Sequence, residues 1–158
     1  MPRNTLVRQV MTTDVLTFRP TDTVEAAARA LADRGIGGAP VVDGGGRVVG
    51  LLEDDDLIVQ DTRLHLPTVI SLFGGYLELP SSLAHFERDL RKAVAATVAD
   101  VMDADAPTCG PDDTLETVAT TLHEGGGTRM AVVDEDGRLL GIVSRGDLVR
   151  AIVHDVGP

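Results

Sequence analysis

Two short stretches carry the residues best suited to chemistry. Ser144 and Asp147 stand three apart after the apolar run Gly141-Ile142-Val143, and Glu53 and Asp56 stand three apart after Gly50-Leu51-Leu52. Each stretch reads as a strand that delivers a polar turn into a helix. A carboxylate so placed suits a vicinal diol, which offers it two hydroxyl donors, and the free N–H groups of a strand-to-helix turn suit an anion. The Ser-x-x-Asp spacing is also a capping box, a structural device that implies no ligand. The two stretches lie 91 positions apart and differ in charge: Glu53 stands where Ser144 does, and Asp54 where Arg145 does.

The same offset runs through most of the chain. Sliding residues 7–60 onto 98–151 without a gap matches about 20 of 54 positions, and a repeat of that length governs the fold. The matches include Val10-Met11 with Val101-Met102, Pro20 with Pro111, Asp22-Thr23 with Asp113-Thr114, Val41-Val42-Asp43 with Val132-Val133-Asp134, and Gly50 with Gly141. In each copy Asp is followed three residues later by Glu, as Asp22 with Glu25 and Asp113 with Glu116, which predicts a capping box opening a helix. Apolar residues then recur at helical spacing as Val24, Ala27, Ala28 and Leu31, and as Leu115, Val118, Ala119 and Leu122, with Gly35 and Gly126 as stops. Pro40-Val41-Val42 and Ala131-Val132-Val133 start short strands, Asp43-Gly44-Gly45-Gly46 and Asp134-Glu135-Asp136-Gly137 turn the chain, and residues 48–52 and 139–143 bring it back. A second helix follows over about 54–60 and 145–153. Each copy is therefore strand, helix, strand, strand, helix. Two such halves, each too small to close its own core, are expected to pack through their sheets into one α/β domain with internal pseudo-twofold symmetry.

Between the copies lie residues 61–97, about 37 positions, too many for a structureless loop in a compact domain. Ser81 or Ser82 after Pro80 fits an N-cap, and Leu83, Phe86, Leu90 and Val94 recur at helical spacing. Residues 66–79, broken by Gly74-Gly75, read as a short helix, a turn and an extended piece. The insert is either a lid on the core or a surface for a partner.

Composition narrows the function classes. A net charge of -11 argues against a nucleic-acid partner, and with no Trp and one Tyr the base-stacking platforms of single-strand binders are missing. No apolar run approaches the length of a membrane span and no signal peptide is evident, so a soluble, cytoplasmic protein without a membrane partner is expected. Cys109 has no second cysteine to bridge and reads as a buried, inert thiol. The histidines His65, His85, His123 and His154 show no metal-ligand spacing. Gly125-Gly126-Gly127 lacks the Gly-Lys-Ser/Thr ending of a phosphate loop and reads as helix termination. No nucleophile, base and orienting group come together in the pattern, so an enzyme is not expected.

The tandem copies, each with Val-Met, a proline-led helix, apolar-Val-Val-Asp, Gly-Arg-apolar-apolar-Gly and a final Asp-Leu, resemble a pair of cystathionine β-synthase (CBS) domains, a Bateman module. On that resemblance residues 7–60 are CBS repeat 1, 61–97 a partly helical insert, and 98–153 CBS repeat 2. The insert, with Leu-Phe-Gly-Gly-Tyr-Leu-Glu at 72–78, is similar to that of small stand-alone bacterial CBS-pair proteins.

The resemblance implies a regulatory module that binds AMP, ADP, ATP or S-adenosylmethionine in clefts between the repeats, requires no cofactor, forms a homodimer and signals to a separate effector protein. It implies that Asp147 takes the ribose hydroxyls while Ser144 faces phosphate, with Arg145 and Arg129 as nearby cations and backbone near Ala106 and Met130 against adenine. In repeat 1 only Asp56 keeps its ribose-type role, because Gly38 stands where Arg129 does and acids replace Ser144 and Arg145. The expectation is one anionic-ligand site per chain, in the repeat 2 cleft. The other cleft is expected to be empty or suited to an uncharged or cationic adenosine. The alternative is a structural or interaction protein acting through the insert.

Overall fold

The computed structural model describes the chain over residues 4–59 and 96–155. The features expected over 66–79 and from Ser81 to Val94, with His65 and His85, lie outside those residues. The first half holds a one-turn 3-10 helix (Val7–Gln9), α1 (Val24–Arg34), β1 (Gly38–Val42), β2 (Val48–Glu53) and α2 (Asp54–Val59). The second holds α3 (Val98–Val101), β3 (Thr108–Cys109), α4 (Leu115–Gly125), β4 (Arg129–Val133), β5 (Leu139–Ser144) and α5 (Arg145–Asp155).

The helices start one residue later than the Asp-x-x-Glu spacing predicts. Thr23 and Thr114 are the N-caps, their hydroxyls accepting the N–H of Ala26 at 3.1 Å and of Thr117 at 3.3 Å. Asp22 and Asp113 instead reach backwards, accepting the N–H of Arg19 and of Gly110, each at 2.8 Å. Their carboxylates tie off the turn at each proline, and the threonine that follows is left to satisfy the helix's free donors. Gly35 (φ 63°) and Gly126 (φ 69°) end α1 and α4 in the left-handed conformation, as expected. Each helix buries the stripe that its spacing defined: Ala27, Ala28 and Leu31 on α1, and Leu115, Val118 and Leu122 on α4.

β1 pairs antiparallel with β2, and β4 lies between β3 and β5. The two hairpins share one register: Gly38 faces Glu53 and Arg129 faces Ser144, with a bulge at Val41/Val42 and at Val132/Val133. The first strand of repeat 1 shrinks to a single bridge from Phe18 to Val41, whereas its counterpart β3 is a short parallel strand on β4. The hairpin tips also bind one another. Val48 N–H donates to the Gly137 carbonyl at 2.9 Å, and Leu139 N–H to the Gly46 carbonyl at 3.0 Å.

Each half closes its core with a piece of the other. Val7 is fully buried among Leu115, Val118, Met130, Val132 and Val143 of repeat 2, while Val98 is fully buried among Phe18, Ala27, Leu31, Val41 and Leu52 of repeat 1. The lead-in segments cross with them. Thr12 and Ile142 exchange both backbone hydrogen bonds at 2.9 Å, and Leu51 and Asp103 exchange theirs at 3.0 and 2.9 Å. The repeated Gly50 and Gly141 are where the crossing chains touch. A Cβ at Gly141 would sit 2.6 Å from the Thr12 carbonyl oxygen, and one at Gly50 would sit 2.7 Å from Met102 Sδ. The matching Val-Met and Gly of the two copies therefore meet across the pseudo-twofold, not within a copy. Among the described residues no helix is long and apolar enough to cross a membrane.

Candidate functional site

The crossing brings residues of both copies around a cleft of about 240 Å³. One wall is the end of β2 and the start of α2, with Leu51, Glu53, Asp55 and Asp56. The facing wall is the lead-in of repeat 2, with Asp103, Ala106 and Pro107. The C-terminal end of α4, from Thr121 to Gly127, closes one side, and Arg129 lines the cleft from β4. Asp56 is fixed by accepting the Glu53 N–H on Oδ2 at 2.8 Å, the device that opens α2. Among the described residues no donor or cation reaches its other oxygen. Desolvation by burial pushes the Asp56 carboxyl up, reinforced by the nearby charges of Asp103, Asp55 and Asp54.

Arg129 departs most from the sequence reading. Its backbone lies opposite Ser144, but its side chain crosses to the first half. Nη1 donates to the Gly38 carbonyl at 3.1 Å, Nε donates to the Thr128 hydroxyl at 3.3 Å, and Nε stands 3.9 Å from Glu53 Oε1. The reason is space. Gly37 and Gly38 carry no side chain: a Cβ at Gly37 would lie 2.9 Å from Nη2, and one at Gly38 would lie 2.8 Å from the Leu52 carbonyl oxygen and 3.1 Å from Nε. Gly38, the sequence twin of Arg129, thus makes room for it. The reading that Gly38 deprives the repeat 1 cleft of a cation is corrected: the cation arrives from the other copy. Glu53 also accepts the Thr128 hydroxyl at 3.2 Å, and its carboxyl is pushed up by desolvation, which outweighs the opposing pull of Arg129. At 18% and 16% exposure the Arg129 and Glu53 side chains form a mostly buried cross-repeat link.

The Ser144–Asp147 turn lies elsewhere, and its groups are already engaged. Asp147 Oδ2 accepts the Ser144 N–H at 2.8 Å and its hydroxyl at 3.1 Å, the Ser144 hydroxyl accepts the Asp147 N–H at 3.3 Å, and Arg150 binds Asp147 Oδ1. The capping reading of this pair is thus realised in full. The Arg145 N–H is also spent, on the Thr128 carbonyl at 2.9 Å, and its side chain is exposed.

The structure therefore divides the expected site residues. Asp56, Ala106 and Arg129 come together in one cleft, Ser144, Arg145 and Asp147 form a separate turn, and Met130 joins neither. Alternation along β4 turns the Met130 side chain away from Arg129 and into the core at 1% exposure, whereas the expectation concerned its backbone. Sequence reasoning missed Leu51, Asp103, Pro107 and the glycines after α4 as cleft residues. Only the matching Val-Met and Gly positions hint at the crossing that assembles them.

The CBS domain model matches residues 7–60 and 98–154. An uncharacterised protein of Methanocaldococcus jannaschii is 29% identical over 154 residues, covering 94% of this chain and 91% of that protein. The chloroplast CBS domain-containing protein CBSX1 of Arabidopsis thaliana is 35% identical over 143 residues, covering 89% of this chain but only 60% of its own length. Among solved structures, CBSX2 in complex with AMP superposes with a TM-score of 0.72 at 26% identity, covering 95% of this chain and 97% of that one. The CBS domain pair of protein MJ0100, in complex with 5'-methylthioadenosine and S-adenosyl-L-methionine, gives 0.71 at 20% identity, covering 96% and 98%. The repeat in the sequence, the crossed halves and these likenesses agree: the chain belongs to the CBS domain family, as a tandem pair in one polypeptide.

Proposed function

We propose that the chain is a regulatory module that takes an adenosine-containing ligand in the Asp56 cleft and passes the effect to a separate protein. The observation that carries this reading is the Asp56 carboxylate, anchored through one oxygen and facing the cleft with no described partner on the other. Such a group accepts hydrogen bonds from both hydroxyls of a ribose. Leu51, Ala106, Pro107 and Leu122 supply apolar surface for a base, and the C-terminal turn of α4 supplies carbonyls for its amino group. Because the walls come from both repeats, a ligand that prefers one packing of the halves over another shifts the balance between them. Adenosine compounds bound by CBSX2 and by the MJ0100 pair support the ligand class.

Calorimetric titration with AMP, ADP, ATP, adenosine and S-adenosylmethionine tests the reading. Binding by at least one of them, abolished by Asp56→Asn, is the expected result; silence from all five up to millimolar concentration sinks it. A second reading puts a phosphate-bearing nucleotide at the Ser144–Asp147 turn, favoured by Arg145 and Arg150 beside it. It requires Arg150 to release Asp147. Under that reading Asp147→Ala weakens binding and Asp56→Ala does not.

A further inference from the structure

The cleft sets four carboxylates, those of Glu53, Asp55, Asp56 and Asp103, against one guanidinium among its described lining residues. That guanidinium is already committed to the Gly38 carbonyl and the Thr128 hydroxyl, and it lies beside Glu53, which Thr128 holds from the other side. A phosphate entering here is repelled by the acids. Arg129 has no described partner on Nη2, but its charge is already offset by Glu53 at 3.9 Å, so a phosphate meets a cleft whose net charge is negative. The twin of Glu53 is Ser144, whose hydroxyl carries no charge.

We infer that Glu53 is the specificity-determining residue of the cleft: by offsetting the charge of Arg129 it disfavours phosphate, so the cleft selects an adenosine compound that is neutral or positively charged. This rests on the adenosine reading of the cleft and adds a selection by charge.

The test is calorimetry of the full chain with adenosine and with AMP, in one buffer, on the wild type, Glu53→Gln and Asp56→Asn. Binding at this cleft is the part lost in Asp56→Asn. At that site adenosine binds the wild type at least about tenfold more tightly than AMP does. Glu53→Gln narrows the adenosine-to-AMP affinity ratio by about tenfold, because it removes the negative charge beside Arg129 without changing the shape of the side chain. Glu53→Ser, which installs the twin's residue, repeats the measurement if the glutamine variant fails to give a native thermal melt. Asp56-dependent AMP binding as tight as adenosine in the wild type, or no narrowing of that ratio in either Glu53 variant, overturns the selection and leaves the adenosine reading standing. No Asp56-dependent binding of either compound, in the wild type or the variants, overturns both.

Discussion

Replacing Arg129 with Met keeps most of the stem's packing but leaves Glu53 mostly buried without its cation. The unfolding free energy should fall by about 1–3 kcal/mol, read from urea denaturation. Glu53→Gln, which retains an acceptor for Thr128, should change stability by less than about 1 kcal/mol. The same residues set a pH dependence. Glu53 and Asp56 both have carboxyls raised in the folded state, chiefly by desolvation, so in the window just above the ordinary carboxylate range the folded chain binds more protons than the unfolded one. Stability from this pair is present at the acid side of that window and is lost as pH rises through it. Asp43 and Asp100, held below the usual range by backbone N–H donors at Arg47 and Thr97, act at lower pH in the opposite sense. The double variant Glu53→Gln/Asp56→Asn should therefore lessen the loss of melting temperature as pH rises just above the ordinary carboxylate range. Burial pushes the Cys109 thiol up to about 12, with Asp113 adding to it, so a thiol reagent at pH 8 should label the native chain only as fast as it opens. At this scale the sequence named Asp56, Ala106 and Arg129 as candidates. It could not pair them, because a guanidinium's partner depends on where a side-chain-free gap lies in three dimensions.

Secondary structure was legible wherever its cause is local. The apolar stripes of α1 and α4, the left-handed glycines at their ends and the Asp-led hairpin turns depend on residues a few positions apart, and each sits where the spacing put it. The caps were displaced by one residue because Asp and Thr compete for the same role, and a preceding proline turn claimed the Asp. Thr114→Ala should cost about 1 kcal/mol, whereas Asp113→Ala should act through the Gly110 turn without shortening α4, a distinction amide exchange along the helix can read. What was illegible is the exchange of lead-in segments, since no periodicity reports which sheet a segment crosses to. Gly141→Ala exposes it directly. The added methyl meets the Thr12 carbonyl at 2.6 Å, and the variant should lose about 1–3 kcal/mol although its own hairpin could accommodate alanine.

At the scale of the whole molecule the duplication was plain in the sequence and its geometry was not. Fold class followed from the repeat, while the division of candidate residues between a cleft and a separate turn followed only from how the halves cross. On the surface Val149, Ile152 and Val153 of α5 are 59%, 44% and 63% exposed, an apolar strip on one helix. If a second copy covers it in the homodimer that the family resemblance implies, Val149→Glu/Val153→Glu should convert the assembly to monomer in sedimentation equilibrium with the melt of the fold preserved. A wild type that sediments as a monomer overturns that expectation.

The fit of Arg129 against Gly37 and Gly38 also bears on how two near-identical halves tell each other apart. Were both twin positions arginine, a Cβ at residue 38 would press to 2.8 Å from the Leu52 carbonyl oxygen of its own hairpin and to 3.1 Å from the facing guanidinium, and two like charges would share one space. Were both glycine, a gap would remain and a carbonyl would lose its donor. The unlike combination fills the seam, a plug on one copy and a socket on the other. Repeat 2 is a poor mate for itself and a good one for repeat 1, which favours closure within one chain over pairing with the same repeat of a neighbour.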